Sequence, residues 1–241
     1  MSSTNFGISK RMLPQTFRRE GYSAAPQGIR AVHSWRYKYL KRSADFVGAL
    51  GLIIIFTIPG LIIALAIWLE DHGSVFYREI RIGRNKKPFR IWKFRSMRRN
   101  ANKIKPEEIG LDGKDALQWR IQKSGNDPRI TSIGRFLRPW SLDELPQLIN
   151  ILLGDMSFIG PRPIVRRELS LYEYFCDKYL DCYTSVVPGL SGLWQVSGRS
   201  SVDNRKRAQL DVKYVREWNL HSDLDIAIRT IPIVLGRIGA C

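Results

Sequence analysis

A run of 23 residues without a charged side chain, at 46–68, constrains the fold of this chain more than any other feature. At a rise of about 1.5 Å per residue, a helix over this run is about 35 Å long, enough to cross a bilayer core of about 30 Å. Pro59, followed by Gly60, lies past the middle of the run. A proline inside a helix removes one backbone hydrogen bond and bends the axis. The run therefore predicts a membrane helix that is broken at Pro59.

Both flanks of this run are basic. Residues 1–45 contain nine Lys or Arg against two acids, and residues 78–99 contain ten against one. Positive flanks of a membrane helix stay on the cytoplasmic side, so both flanks favour the same side. A re-entrant helix, which enters the bilayer, breaks at Pro59 and leaves by the same face, satisfies both, with the Thr57 hydroxyl as a partner for the broken backbone. A straight single span is the alternative, and a helix buried in a soluble core is a third.

The composition narrows the classes of partner and excludes some scaffolds. Lys and Arg number 39 against 22 Asp and Glu, a net charge of +17. This excess favours a partner that carries phosphate, and nucleic acid, anionic lipid and nucleotide all qualify. The three cysteines cannot all pair within the chain and the histidines are scattered, which excludes a disulfide scaffold and a zinc finger and indicates a reducing cytosolic setting. P-loop, dinucleotide-binding and nucleophile-elbow motifs are absent from the sequence.

The pattern along the chain predicts an α+β fold in three parts. Residues 1–40 are expected to form a flexible basic arm, 41–70 the re-entrant membrane helix, and 71–241 a cytosolic domain of short strands and amphipathic helices. Within that domain we expect strands at 75–77 and 89–94, a helix over the leucines of 142–152 that ends at Gly154, helices at 164–183 and 203–219, a polar loop at 100–128, and an apolar stretch at 224–235 on the membrane surface.

Two adjacent carboxylates, Asp143 and Glu144, stand at the start of the predicted helix over 142–152. Ser141 and Glu144 have the spacing of a capping box, while Pro146 fits a first helical turn and makes Asp143 an equal candidate for the cap. Either arrangement places the acids where free N–H groups and the helix dipole favour negative charge. A simple capping role is the plainer interpretation of this pair, and a chemical role is the alternative.

Other residues suggest that the domain binds phosphate. The Gly-Pro-Arg-Pro sequence at 160–163 mounts Arg162 on a stiff turn, and a guanidinium suits bidentate phosphate binding. The ten basic residues of 78–99 are interleaved with aromatic and apolar side chains, so that both faces of a strand there would be mixed. Asp211 and Asp225 lie near apolar helical stretches, where each is either a surface acid or a ligand of Mg²⁺ or nucleotide.

Taken together, these segments resemble the bacterial sugar transferase family, the monotopic phosphoglycosyl transferases. The resemblance covers residues 41–241. Its matching stretches are Lys41-Arg42-x-x-Asp45, VFYREIRIGRNKKPFRIWKFRSM at 75–97, DPRITSIGRFLRPWSLDELPQLINILLGDMSFIGPRP at 127–163, PGLSGLWQVSGR at 188–199 and LDVKYV at 210–215. Many members of the family have serine before the helix-breaking proline, where this chain has Ile58.

The resemblance implies an activity and a set of site residues. It implies transfer of a hexose 1-phosphate from a UDP-sugar to polyprenol phosphate at the inner membrane, with release of UMP, as the first membrane step of exopolysaccharide synthesis. Asp143 would be the nucleophile that forms a phosphosugar-aspartate, with Glu144 as its acidic neighbour. Mg²⁺ would be the cofactor, held by Asp143 and with Glu144 as a second candidate ligand. The residues implied in binding substrate or phosphate are Lys93, Arg138, Arg162, Asp211 and Asp225.

The implied partners are therefore the UDP-sugar, the polyprenol phosphate and inner-membrane lipid, without nucleic acid, and a homodimer through the basic domain stays open. Two other functions compete with this interpretation. A membrane-tethered basic adaptor would explain the charge and the apolar run, but it gives Asp143 and Glu144 no role. A metal-dependent phosphatase or pyrophosphatase at the membrane would release free phosphate or sugar phosphate.

Overall fold

The computed structural model describes residues 32, 34–99, 101, 127–168, 177–199 and 202–237. The fold is mixed α+β, as the sequence predicts. In chain order, its helices and strands are α1 (Arg42–Asp71), β1 (Phe76–Ile82), β2 (Pro88–Phe94), α2 (Ser132–Leu137), α3 (Gln147–Leu153), β3 (Ser157–Ile159), α4 (Asp177–Thr184), β4 (Gly189–Ser191), α5 (Asn204–Glu217) and α6 (Leu220–Leu235).

The described strands form two small sheets. Strands β1 and β2 pair antiparallel, with Tyr77 opposite Lys93 and Arg81 opposite Phe89. Since opposite residues point to the same face of an antiparallel pair, these four side chains share one face of the hairpin. Strands β3 and β4 pair in parallel although they are far apart in the sequence. The hairpin therefore presents a face of mixed cations and apolar groups, as predicted.

The long apolar run forms α1, which corrects the predicted break at Pro59. Helical backbone continues from Arg42 to Asp71, with Pro59 inside the helix. The carbonyl that loses its partner at a helical proline is four residues earlier, at Ile55. The Thr57 hydroxyl instead donates a hydrogen bond of 2.6 Å to the Ile53 carbonyl oxygen, so it does not replace the missing bond.

The amino end of α1 is fastened to the domain that follows it. The Lys41 ammonium lies 2.6 Å from an Asp223 carboxylate oxygen, and both side chains are largely buried. The Arg42 guanidinium donates hydrogen bonds of 2.6 and 2.7 Å to the carbonyl oxygens of Ile151 and Leu152, at the carboxyl end of α3. Two basic side chains thus tie the start of α1 to two separate helices of the domain.

The carboxyl end of α1 is fastened to the same domain. The Asp71 carboxylate pairs with the Arg95 guanidinium just beyond β2. The Glu70 carboxylate accepts a hydrogen bond of 2.6 Å from the backbone N–H of Ser132, at the start of α2. Between these ends one side of α1 packs on the domain, where Ile67 contacts Phe94 of β2. Both ends of α1 therefore contact one body.

The rest of α1 is exposed and apolar. Its middle presents side chains that are each at least 64% exposed, namely Ile54, Ile55, Ile58, Leu61 and Ile62. By length and composition, the segment Arg36–Asp71 is able to cross a membrane. A helix with such an apolar surface is stable only where lipid or another protein covers that surface.

Helix α6 is amphipathic and leaves its apolar stripe uncovered. Leu224, Ile228, Ile231 and Leu235 follow helical spacing and are each more than half exposed, whereas Ile226 on the other face is buried in the core. The predicted apolar stretch at 224–235 is therefore a helix with one apolar face outward.

The other predicted elements have mixed outcomes. The helix at 203–219 is confirmed as α5, and the hairpin is confirmed, although β1 runs to Ile82 rather than ending at 77. Within 164–183 the structure describes a 3₁₀ turn over Arg166–Glu168 and the helix α4. The predicted arm over 1–40 is shorter at its carboxyl end, because Arg36–Lys41 form a π-helical turn that leads into α1. Most of the predicted loop at 100–128 and most of the arm lie outside the described residues.

Candidate active site

Asp143 and Glu144 lie in a 3₁₀ turn over Leu142–Glu144, hereafter the acidic turn. The turn is separate from α3, which begins at Gln147 with Pro146 as its N-cap residue. Both predicted caps are therefore wrong, because Ser141 and Asp143 lie too far before the helix to cap it. Ser141 instead has a left-handed backbone, with φ of 55°, and its side chain makes no capping hydrogen bond. The acids are thus held in a turn of their own, which weakens the interpretation that they only cap a helix.

Lys93 of β2 forms an ion pair with Glu144 across the site. Its ammonium lies 2.7 Å from a Glu144 carboxylate oxygen, and both side chains are partly buried. A pair that is only partly exposed is less screened than a surface pair. The contact ties the acidic turn to the mixed face of the hairpin.

The ion pair borders a shallow cleft that is partly open to solvent. Two further cations line it, Arg81 from β1 and Arg162 from the Gly-Pro-Arg-Pro turn, and the rest of the lining is Ile91, Lys93, Glu144, Gln147, Pro163, Gly189, Leu190 and Gln195. Three cationic side chains against one lining carboxylate give the cleft a positive balance. The positive charge of the cleft suits an anionic ligand such as a diphosphate.

Arg162 is held in place through its own backbone and that of its neighbour. The Tyr183 hydroxyl donates a hydrogen bond to the Arg162 carbonyl oxygen. The Arg81 guanidinium donates a hydrogen bond of 3.0 Å to the Pro163 carbonyl oxygen and pairs with Glu79 on the same strand. Since these contacts use backbone atoms of the turn, they fix the turn without occupying the Arg162 guanidinium.

The turn also depends on a close approach of β3 and β4. The Gly160 N–H donates to the Ser191 carbonyl oxygen at 2.9 Å, and the Gly189 N–H donates to that of Pro161 at 2.8 Å. A Cβ atom on Gly189 would lie 2.1 Å from the Gly160 backbone nitrogen, closer than any side chain can come. Glycine at this position therefore lets the two strands meet under the Arg162 turn.

Burial lowers the pKa of Arg162, and neighbouring charges modify that effect. The Glu144 carboxylate favours the charged guanidinium, the cations of Arg81 and Arg207 disfavour it, and Glu168 favours it again. An arginine in a protein stays protonated nonetheless. The lowered pKa thus indicates that the guanidinium is partly desolvated. An anion that approaches it would stabilise its charged form.

The structure brings some of the predicted site residues together and leaves others apart. Lys93, Glu144 and Arg162 line the cleft, and Asp143 is half-buried beside Glu144 without lining it. Arg138 is buried at the end of α2, outside the cleft lining. Asp211 is fully buried on α5, also outside that lining.

Asp225 is exposed on α6, outside the cleft lining, where its carboxylate lies 3.3 Å from the Arg229 guanidinium one turn later. This arrangement is that of an ordinary surface pair within a helix. Asp225 therefore lies outside the cleft lining, and its role in binding substrate stays a prediction.

Three polar lining residues were not predicted, namely Arg81, Gln147 and Gln195. Arg81 was missed because β1 was expected to end before it. Had the strand been predicted to extend through Arg81, the alternation of side chains would have placed this cation on the same hairpin face as Lys93. For the two glutamines, the sequence carries no comparable signal.

The donor set is compatible with Mg²⁺ only if a substrate supplies part of the coordination. Within the described ranges, no group of three or more His, Cys, Asp or Glu side chains is placed to hold a metal ion. Mg²⁺ is commonly bound by one or two carboxylates together with substrate phosphates and waters. The adjacent carboxylates of Asp143 and Glu144, beside a cleft that suits a diphosphate, fit this mode.

Comparison with known proteins finds one family and several relatives. The family model described as bacterial sugar transferase matches residues 36–237. The undecaprenyl-phosphate galactose phosphotransferase of Salmonella typhimurium is 44% identical over 204 residues, which are 84% of this chain and 42% of that protein. The exopolysaccharide production protein ExoY of Rhizobium meliloti is 43% identical over 195 residues, which are 80% of this chain and 84% of that protein.

A third relative, the UDP-glucose:undecaprenyl-phosphate glucose-1-phosphate transferase of Escherichia coli, is 37% identical over 80% of this chain and 40% of its own length. The chain thus spans about two fifths of the length of several curated relatives that it matches.

Proposed function

The chain belongs to the bacterial sugar transferase family, and from this premise we propose that it transfers a hexose 1-phosphate from a UDP-sugar to undecaprenyl phosphate. The names of the relatives from Salmonella typhimurium and Escherichia coli support this class of acceptor. The observation that carries the proposal is the cleft, in which Lys93 pairs with Glu144 opposite Arg81 and Arg162. A carboxylate turn beside clustered cations suits an attack on a diphosphate, because the cations offset the repulsion between nucleophile and substrate.

The proposed reaction has two displacements at one phosphorus atom. An Asp143 carboxylate oxygen attacks the sugar-bearing phosphorus of the UDP-sugar, and the bond from that phosphorus to the oxygen bridging to the UMP group breaks, so that UMP leaves. An oxygen of the lipid phosphate then attacks the same phosphorus, and its bond to Asp143 breaks. The products are polyprenyl-diphosphate-sugar and the regenerated carboxylate. The Lys93 contact holds the Glu144 carboxylate beside the cleft, next to Asp143 in the chain.

Mg²⁺ is the proposed cofactor, held by Asp143 with Glu144 as the second ligand. When bound, the ion would neutralise charge on the diphosphate. Lys93 and Arg162 would bind and orient the same group from the other sides of the cleft. Asp211 and Arg138 are proposed as buried supports of the site, since neither lines the cleft.

The membrane attachment is proposed to be re-entrant through a bend of the continuous helix α1 at Pro59 rather than a break, with the domain on the cytosolic face of the bacterial inner membrane. Fastening of both ends of α1 to one domain supports this topology, because a straight span would place its ends on opposite sides of a core about 30 Å thick. The exposed apolar side chains in the middle of α1 then enter lipid. The outward stripe of α6 would lie on the membrane surface.

Cysteine labelling tests the topology. Lys38→Cys and Lys86→Cys, made separately in a background without the three native cysteines, place one thiol before α1 and one after it. We expect both to be protected from an impermeant reagent added outside intact cells. Labelling of only one of the two positions from outside would establish a straight span and refute the re-entrant helix.

Substitution of Asp143 tests the chemistry. Asp143→Asn keeps the size of the side chain but removes the carboxylate, so we expect UMP release to fall by about three orders of magnitude or more with little change in Tm. Wild-type protein incubated with a UDP-sugar alone should gain the mass of one sugar phosphate within residues 141–147. Substantial activity in Asp143→Asn would point to a role in folding only.

Glu144→Gln is the matched control, because the two carboxylates are adjacent. If Asp143→Asn still acquires the covalent phosphosugar while Glu144→Gln does not, the nucleophile is Glu144. If lipid is labelled but wild-type protein never carries the phosphosugar, the lipid phosphate attacks the donor directly. If radiolabelled UDP-galactose and UDP-glucose leave no label in the lipid extract, the result favours the alternative of a membrane-tethered basic adaptor.

A further inference from the structure

An arginine at the end of α6 stacks on the residue that leads into the acidic turn. The Arg237 guanidinium carbon lies 3.9 Å from the centre of the Trp140 ring. Trp140 is three residues before Asp143, so their Cα atoms are at most about 11 Å apart. Neither the cleft nor the proposed chemistry described above uses this contact.

The backbone of Arg237 is unusual for its residue type. It follows Gly236, the C-cap residue of α6, and has φ of 53°. This left-handed conformation after a helix is normally adopted by glycine, because a Cβ atom makes it unfavourable. Such an outlier points to a role for the side chain that the backbone position alone does not require.

Exposed apolar side chains lie on the helices that flank Arg237 and the acidic turn. Arg237 continues directly from the exposed stripe of α6, which ends at Leu235. Phe136 of α2 and Leu153 of α3, on the helices either side of the acidic turn, are likewise more than 60% exposed. Within the part of the chain that the structure describes, the Arg237 guanidinium has no carboxylate partner. Among these residues, no carboxylate engages its N–H donors.

We propose that Arg237, supported by the Trp140 ring, binds the phosphate group of the polyprenyl acceptor as it reaches the acidic turn from the membrane. This inference rests on the proposed function. The two substrates each bring phosphate, and the cations of the cleft serve the diphosphate of the donor. In the proposed two-step reaction the lipid phosphate arrives after UMP has left, and a guanidinium stacked on an aromatic ring before the acidic turn is held in place to bind it on its way in. The same chemistry would attract the phosphate of bulk anionic lipid, so the test must separate the two sources.

The test compares Arg237→Gln and Arg237→Gly with the wild-type full chain in lipid nanodiscs. Loss of one charged contact to phosphate should raise the KM for undecaprenyl phosphate about tenfold. UMP release with UDP-galactose or UDP-glucose alone should not change, because that step precedes contact with the acceptor. Arg237→Gly should also have an unchanged or higher Tm, since glycine adopts the observed φ without strain.

Arg135→Gln is the matched control, because Arg135 is exposed on α2 beside Phe136 and carries the same charge. It should leave the KM for undecaprenyl phosphate unchanged. An equal rise in KM for Arg135→Gln and Arg237→Gln would overturn the proposal in favour of general surface charge. So would weaker binding of Arg237→Gln to phosphatidylglycerol vesicles without a change in KM.

Two further results would also be decisive. An altered rate of UMP release in Arg237→Gln would overturn the proposal, because it would mean that Arg237 only shapes the acidic turn. Absence of UMP release from wild-type protein would refute the proposed function, and this inference with it. The other contradicting results leave UMP release by the wild type intact and therefore refute only the role of Arg237.

Discussion

Replacing Arg42 should destabilise the protein measurably, because one side chain joins α1 to α3. Its guanidinium donates to the carbonyl oxygens of Ile151 and Leu152 at 2.6 and 2.7 Å. These carbonyls belong to the last turn of α3, where the helix dipole favours a cation. Arg42→Met keeps an apolar stem of similar length and removes both hydrogen bonds and the charge.

The magnitude follows from the geometry of these two contacts. A hydrogen bond to a charged group contributes about 1.5–3 kcal/mol. Arg42 is only half-buried, and the Ile151 carbonyl oxygen keeps a second donor in the Gly154 N–H at 3.1 Å. We therefore take the lower end and expect a loss of about 3 kcal/mol for both contacts together. For a chain of this size that corresponds to a fall in Tm of roughly 6–12 °C.

Thermal unfolding of the detergent-solubilised protein measures this loss. Arg42→Lys keeps the charge but cannot reach both carbonyls in a fork, so we expect about half of the fall in Tm. Lys38→Met is the control, because Lys38 is an exposed cation one turn earlier whose ammonium lies over the Tyr39 ring, and it should change Tm by about 1 °C or less. If Arg42→Met melts within about 2 °C of wild type, the assigned contribution of this contact is refuted.

Three further predictions concern the domain. Gly189→Ala should reduce both Tm and activity, since its Cβ atom would meet the Gly160 nitrogen at 2.1 Å; unchanged thermal unfolding would show that β3 and β4 can separate at no cost. Asp127 is buried, which opposes its ionisation, but hydrogen bonds and charge from Arg129 prevail and lower its pKa. The ionised Asp127 carboxylate therefore stabilises the fold fully above the ordinary pKa of an aspartate, and this stabilisation is lost as the pH falls below about 4. The difference in Tm between wild type and Asp127→Asn should accordingly shrink from pH 7 to pH 3. Arg81→Gln should raise the KM for the UDP-sugar about tenfold and leave the KM for the lipid acceptor unchanged. Steady-state kinetics with each substrate varied in turn measures both constants, and an equal rise in the two would contradict the prediction.

The sequence allowed prediction of those elements whose signal is local. The charge-free run at 46–68 predicts α1, because only a helix satisfies its backbone in an apolar phase. Helix α5 follows from the pattern at 203–219, and its first N–H groups are capped by the Asp203 side chain, which accepts from the Lys206 N–H at 2.7 Å. These elements depend little on partners distant in the sequence.

The acidic turn could not be predicted from its pattern. The spacing of Ser141 and Glu144 fits a capping box, but Ser141 adopts φ of 55° and Glu144 is drawn to Lys93. That ion pair joins residues 51 positions apart, so a local pattern contains no trace of it. Tertiary contacts therefore override a recognisable local motif at the very place where the chemistry is proposed.

The extent of β1 was underestimated for a related reason. Glu79 and Arg81 are charged residues that suggest a loop when the sequence alone is considered. In the fold they pair with each other, and Arg81 reaches the carbonyl oxygen of Pro163. The strand is extended by its pairing with β2 and by contacts across the cleft rather than by its own propensity.

The contacts at the amino end of α1 bear on how the protein folds while it is synthesised. Lys41 is synthesised 182 residues before its partner Asp223, and Arg42 is synthesised 109 residues before Ile151. At about 5–20 residues per second, roughly 10–40 s separate Lys41 from Asp223 on the ribosome. Until Ile151 and Asp223 are made, the amino end of α1 lacks the contacts that hold it. Meanwhile the exposed apolar surface of the helix must avoid water. In the proposed topology the helix therefore enters lipid first, and the domain assembles around a segment that the bilayer has already placed.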